Sequence, residues 1–261
     1  MKTRVDATTK TGRIRVGEVD YLNMPAEPYD GYPVVLLHGA GSTARDAFAS
    51  ASFYAHATLP GILYHHNIPS ISGWMGGDTM GNDLGMTCVE SARTVLDAFP
   101  GVDASRVHLV GVSMGNELAM RYASLNPTKV ASIMSVMPLS DINAVYQANR
   151  AGFRATIAAA WGVTYPAALP AQSDLVNTHA PVLVANGTPV RLLYSSADTT
   201  VLPAEVTTLA AALGIAAEVV DAVNNHDELT MQSAMNIAEN PTHPGGPFWG
   251  HYVHYLDQHN P

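Results

Sequence analysis

Residues 108–120 read HLVGVSMGNELAM. A short apolar, β-prone run gives way here to a run of helix formers, and Ser113 stands at the junction between Gly111 and Gly115. Two readings compete for such a G-x-S-x-G stretch. One is a tight turn with no further purpose. The other is a nucleophile held out over the end of a sheet, on a sharp turn whose neighbours must lack side chains. In that second reading the helix starting at Met114 aims its first N–H groups at the same point, where they favour developing negative charge. The flanking VHLV and ELAM supply the strand-then-helix context it requires.

The rest of the chain alternates in the same way. Residues 12–24 read as an edge strand or hairpin, and PVVLLH (33–38) as a short buried strand that ends in the Gly-rich turn HGAGS. A helix is expected over 42–58, a strand in ILYHHNIP from 62, and a long loop over 69–86. The next helix sets Cys88, Ala92, Val95, Leu96 and Phe99 on one face and stops at Pro100-Gly101. Then come the strand RVHLVGVS, a helix with Leu118, Tyr122 and Leu125 sharing a face, and the strand VASIMSVMPL (130–139). Regularity resumes at 190 with the strand PVRLLYSSAD, a helix from Pro203 to just before Gly214, and the strand AAEVVDAV. Further helices are expected to about 238 and in the tail WGHYVHYLDQH.

Strands alternating with helices imply an α/β architecture, a mainly parallel sheet flanked by helices, with ligands at the carboxyl ends of the strands. Residues 140–189 break the rhythm. Fifty residues are too many for an ordinary connection, so the expected organisation is a core of residues 1–139 and 190–261 with a helical insertion, 140–189, folded over one end of the sheet.

Of the 261 residues, 47% are hydrophobic and 13% charged, a balance that speaks for a packed core and against disorder. A net charge of -9 with only three lysines excludes nucleic acid or an anionic membrane as the main partner, because tracking phosphates takes concentrated Lys and Arg. The single cysteine, Cys88, reads as a small buried hydrophobe; it forms no internal disulfide and leaves the redox compartment open. The N-terminus lacks the apolar core of a secretory signal, and no apolar run of 18 residues occurs. The expectation is a soluble, cytoplasmic protein without integral membrane association, although a leader removed earlier would leave the same sequence.

A serine hydroxyl needs a base, normally a histidine oriented by a carboxylate. Among eleven histidines, His226 is best placed, in the NNHDE loop after the last strand. Asp198, directly after the strand from 190, is the candidate acid. The oxyanion needs preorganised N–H donors. Met114 offers one and the HGAGS turn the second, from Ala40 with Gly41 nearby; His38 reads as the organiser of that turn.

These residues resemble the α/β-hydrolase family: HGAGS is similar to its oxyanion loop, GVSMG to its nucleophile elbow, and the order Ser113, Asp198, His226 is the family's own. The likeness covers roughly residues 30–258 and puts the 140–189 insertion where members carry a cap. In some members the acid follows the earlier strand instead, which makes Asp141 in MPLSD the alternative to Asp198. One departure concerns the pocket wall. Members often have an acidic strand end followed by R-G-x-G-x-S after the strand placed at 62, where this chain has YHHNIPSISGW, so His65, His66 and Trp74 become possible pocket lining. Phe153, Ile157, Trp161 and Tyr165 of the insertion are expected to roof the site.

The implied activity is hydrolysis of small to medium carboxylic esters through an acyl-enzyme, the partner being a small-molecule ester. The same triad serves amides, thioesters or carbon–carbon bonds, and a noncatalytic binding protein that kept the fold is the rival of a different class. No cofactor is implied. Nucleotide-binding glycine motifs are absent, and the histidine pairs His65/His66 and His251/His254 match no metal-binding signature. Nothing in the sequence fixes the oligomeric state.

Overall fold

Eight strands form one sheet in the order β1-β2-β4-β3-β5-β6-β7-β8. The structure is a computed structural model that describes residues 13–16, 20–23, 29–43, 63, 67–73, 75–223, 225–226 and 258–260, with the backbone alone for 13–16, 20–23 and 221. β1 (Arg13–Val16) and β2 (Asp20–Asn23) are the antiparallel hairpin read at 12–24, and β2 joins β4 antiparallel. The other six, β3 (Val34–Leu37), β4 (Ser70–Ser72), β5 (Val107–Val112), β6 (Val130–Val136), β7 (Val190–Ser195) and β8 (Glu218–Asp221), are all parallel. β3 and β6 are buried along their whole length, as strands covered on both faces must be.

Local signals set the helix ends. α1 (Asp83–Asp97) starts where Asn82 Oδ1 accepts the Gly85 N–H and carries Gly85, Val89, Ala92 and Leu96 into the core at helical spacing. Cys88 lies to one side of that face and is half-buried, not in the core as its spacing suggested. α2 (Met114–Leu125) is buried from Met114 through Ser124, so its periodicity carries little information, and Leu125, expected on the apolar face, is exposed. α6 (Pro203–Leu213) opens with Pro203 and closes on Gly214 at φ 69°.

The strand expected from 62 is displaced. Leu63 is helical, its carbonyl accepts the Ile68 N–H (2.7 Å), and Asn67 turns the chain at φ 57°. Pairing begins only at Ser70, inside the stretch read as loop. Two serines in a three-residue strand carry little β-propensity, whereas the more apolar ILYH resembles a strand in isolation. The helix expected over 42–58, those after 226, and His251 and His254 lie outside the described residues, apart from Ser42 and Thr43, which are not helical, and Gln258 and His259 at the end of the tail, which form a turn.

Residues 140–189 contain α3 (Ile142–Ala148), α4 (Arg154–Trp161), a π-helical turn Leu175–His179 and α5 (Ala180–Ala185). Ile157, Leu175 and Leu183 join the same hydrophobic cluster as Leu37, Leu109, Ile133 and Leu192. Two sets of polar contacts hold the segment. Arg150 makes a bidentate pair with Glu205 (2.8 and 2.6 Å) and reaches the Thr200 carbonyl (3.4 Å), beyond β7. On the other side Trp161 Nε1 donates to the Met80 carbonyl (3.0 Å) and Asn82 Nδ2 to the Ala160 carbonyl (2.7 Å), beyond β4.

Candidate active site

The two glycines around Ser113 answer to contact distances. A Cβ on Gly111 would stand 2.6 Å from the Gly115 carbonyl, and one on Gly115 would stand 2.2 Å from the Leu37 oxygen, so only hydrogen fits at either place. Between them Ser113 takes φ 51° and ψ -112°, a conformation that costs an L-residue of order 1–3 kcal/mol and persists because its surroundings enforce it. Its N–H donates to the Val136 carbonyl (3.0 Å), and its carbonyl accepts from Asn116 N (3.0 Å) and Leu139 N (3.2 Å). Asn116 braces the same corner, donating to the Leu139 carbonyl and accepting from Ser135 Oγ.

His226, in the loop after β8, lies 2.7 Å from Ser113 Oγ through Nε2. Its Nδ1 donates to Asp198 Oδ2 at 2.6 Å. A carboxylate only accepts, so the proton sits on Nδ1, and the Nε2 lone pair faces the serine hydroxyl. The other Asp198 oxygen accepts the N–H groups of Thr200 (2.8 Å) and Val201 (2.9 Å), which fixes the carboxylate in a turn just past β7. Asp198 is 4% exposed, so water competes little for the imidazole. Asp141, the alternative acid, is elsewhere: its Oδ1 caps α3 through the Ala144 N–H (2.8 Å).

The turn after β3 crowds the serine. A Cβ on Gly39 would lie 3.4 Å from Ser113 Cβ. His38 is buried and its Nδ1 donates to the Gly39 carbonyl (2.9 Å), which also accepts the Ser42 N–H (3.2 Å). Gly41, at φ 74°, gives its N–H to Asp78 Oδ1 at 2.7 Å. Asp78 went unnoticed in the sequence because it lies in the 69–86 stretch, although the run GGDTMG marks a backbone bent for close approach.

Of the expected lining residues, His65, His66 and Trp74 lie outside the described residues. Phe153 and Trp161 are half-buried against the core, and Trp161 stacks near the Arg121 guanidinium (5.4 Å). Ile157 is fully buried in the core, whereas Tyr165 is exposed and packs on Arg154 (4.0 Å). Another buried group that the sequence did not flag lies on α2. Glu117, one turn into α2, is fully buried against Gly81, and neither of its oxygens has a hydrogen-bond partner among the described residues. Burial drives its carboxyl well above the ordinary range, against the pull of Arg121. Among the described residues no cluster of His, Cys, Asp and Glu could hold a metal ion, and no helix is long and apolar enough to cross a membrane.

The sequence profile of the alpha/beta hydrolase family matches residues 34–257. The chain belongs to the α/β-hydrolase family. That match runs from β3 past Ser113, Asp198 and His226. Solved α/β hydrolases superpose at low identity. The fluorophosphonate-binding serine hydrolase FphF of Staphylococcus aureus is 12% identical with a TM-score of 0.61, covering 87% of this chain and 94% of its own. An S-formylglutathione hydrolase from Agrobacterium tumefaciens is 14% identical with a TM-score of 0.62, covering 96% and 97%. An esterase from Pyrococcus furiosus is 17% identical with a TM-score of 0.59, covering 92% and 86%. At such identities the likeness establishes the α/β-hydrolase fold and no more. A search of curated protein sequences finds no match.

Proposed function

We propose that this α/β hydrolase is a serine carboxylesterase acting on small to medium esters through an acyl-enzyme. The observation that carries the reading is the imidazole of His226, hydrogen-bonded at once to Ser113 Oγ (2.7 Å) and Asp198 (2.6 Å). In the first step Ser113 Oγ attacks the ester carbonyl while His226 Nε2 takes its proton. Asp198 holds the ring in the required tautomer and stabilises the imidazolium. The tetrahedral oxyanion rests on the N–H groups of Met114 and Ala40; that of Gly41 is engaged by Asp78. His226 then protonates the departing alcohol; in the second half water adds to the acyl carbonyl as His226 Nε2 takes its proton, and His226 returns that proton to Ser113 Oγ as the bond to Ser113 breaks and the acid leaves.

Residues 140–189 form the roof in this reading. They are tied beyond β7 at Arg150 and beyond β4 at Trp161, and β3, β5 and β6 lie between those strands. Solved neighbours described as a serine hydrolase and an esterase agree with this chemistry.

A fluorophosphonate probe and a series of p-nitrophenyl esters of rising acyl length test the proposal. Stoichiometric labelling lost in Ser113→Ala, with kcat/KM reduced by a factor of about 10³ or more, is the expected result. Equal turnover by Ser113→Ala would rule out the assignment. Preference for an anilide or thioester over the matching ester would move the chemistry to that bond, and a folded protein that neither labels nor hydrolyses would point to a binding role.

A further inference from the structure

Asn225 immediately precedes His226, and its side chain crosses to the loop that carries Asp198. Its Oδ1 accepts the Thr199 N–H (2.8 Å) and the His226 N–H (2.8 Å), while its Nδ2 donates to Thr199 Oγ1 (2.8 Å). Thr199 is the residue after Asp198. One primary amide therefore touches the backbone of the histidine and both backbone and side chain of the acid's neighbour.

The position explains why such a clip is needed. Asp198 and His226 follow β7 and β8, neighbours whose pairing already shifts register between Tyr194 and Ser195 and ends at Ser195↔Asp221. Beyond that pair the sheet ladder no longer sets the distance between the loops. A 2.6 Å contact between Nδ1 and Oδ2 tolerates little sliding, and hydrogen bonds weaken steeply once stretched or bent. An amide suits the task because its oxygen accepts two N–H groups while its nitrogen still donates.

We infer that Asn225 is a positioning residue that locks the His226 loop onto the Asp198 loop, and so sets the imidazole between Asp198 and Ser113. The inference rests on reading Ser113 and His226 as nucleophile and base. Asn225 acts through His226 and not on the reacting atoms, so its loss slows the chemical step and leaves substrate binding nearly alone. Misplacing a catalytic group by a fraction of an ångström to 1 Å costs about tenfold to a hundredfold in rate.

The test compares Asn225→Ala, Asn225→Asp and Thr199→Val for kcat and KM on a p-nitrophenyl ester. It also follows the low-field proton NMR signal of the His226 Nδ1–H···Asp198 bond, assigned by its loss in His226→Gln. Asn225→Ala is expected to lose about tenfold to a hundredfold in kcat with KM within about twofold, and to lose or broaden the resonance. Asn225→Asp keeps both N–H acceptors and is expected within about threefold of wild-type kcat. Wild-type kcat and an unchanged resonance in Asn225→Ala would overturn the clip, as would a loss confined to KM.

Should the alanine variant not fold, Thr199→Val removes only the hydroxyl arm. It is expected to lose about threefold to tenfold in kcat, and wild-type kcat there would overturn the proposal. If the wild-type chain hydrolyses no ester, the resonance still decides: its loss in Asn225→Ala supports the clip while the esterase reading falls, and its retention overturns the clip.

Discussion

Gly115 approaches Leu37 so closely that a methyl group on its Cα would stand 2.2 Å from the Leu37 oxygen and 2.8 Å from the carbonyl carbon. The obstacle is backbone, the last residue of β3 before the turn that leads to Ala40. Gly115→Ala must therefore push the Ser113 turn and the turn after β3 apart. The expected cost is about 1–3 kcal/mol of stability together with a loss of about 10² in kcat. Thermal melts and single-turnover labelling check both; an alanine variant with wild-type kcat would refute the packing argument.

Asp78 holds the turn after β3, the proposed oxyanion turn, from outside through the Gly41 N–H. Asp78→Ala leaves that turn without its tether and is expected to lower kcat about tenfold. Asp78→Asn keeps an accepting oxygen and is expected to restore most of it. Equal loss in both variants would show that the charge, and not the tether, matters.

Arg150 binds Glu205 in a bidentate pair whose two side chains are 18% and 14% exposed. Arg150→Met leaves the Glu205 carboxylate without that partner, a loss of about 1–3 kcal/mol and a fall in Tm of several degrees. If the roof is held in place by this pair, discrimination between short and long acyl esters narrows at the same time. An unchanged acyl-length profile would detach Arg150 from specificity.

Glu117 destabilises the fold at neutral pH, with a definite sign. Its folded carboxyl titrates well above the ordinary value of 4.5, because burial outweighs the attraction of Arg121. As pH rises past 4.5 the unfolded chain releases a proton that the folded chain keeps, so stability is lost with rising pH. Glu117→Gln removes that term. Denaturant titrations should show the variant level with wild type near pH 4 and increasingly the more stable of the two as pH rises above 4.5; a gap that does not change with pH would overturn the argument.

His108 carries the opposite slope. Burial holds its ring at about 4, against the hydrogen bond with Asn260, which pulls the value up. Below 6.5 the unfolded chain binds a proton that the folded chain refuses, so stability falls as pH drops from 6.5 towards 4, by up to about 1.4 kcal/mol per pH unit. His108→Gln is expected to be less stable at pH 7, where it loses its contacts with Ser132 and Asn260, yet to decline less between pH 6.5 and 4. A variant with the wild-type slope would place the acid sensitivity elsewhere.

What could be read from the sequence follows the range over which each signal acts. The elbow was legible because strand, glycine, serine, glycine and helix are contiguous, and Asp198 and His226 because each directly follows a strand. β4 was not. Its three residues, two of them serine, owe their place to Val34 and Leu36 on one side and Tyr21 and Asn23 on the other, partners far away in the chain. Asp78 and Asn225 were missed for a related reason: each is an ordinary loop polar residue until folding sets Gly41 or Thr199 against it. Glu117 follows helical rules perfectly well in one dimension, and only the approach of Gly81 reveals that it is fully buried.

Ser113 is moored sideways as well as along its own helix: its N–H goes to Val136 and its carbonyl receives the N–H of Leu139. Residues 140–189 depart from that same strand end, directly past the mooring. Ile157, Leu175 and Leu183 nevertheless pack into the core, so a graft has to supply matching apolar groups. A chimera that keeps residues up to Leu139, resumes at Val190 and restores that packing should inherit the seat of Ser113 intact.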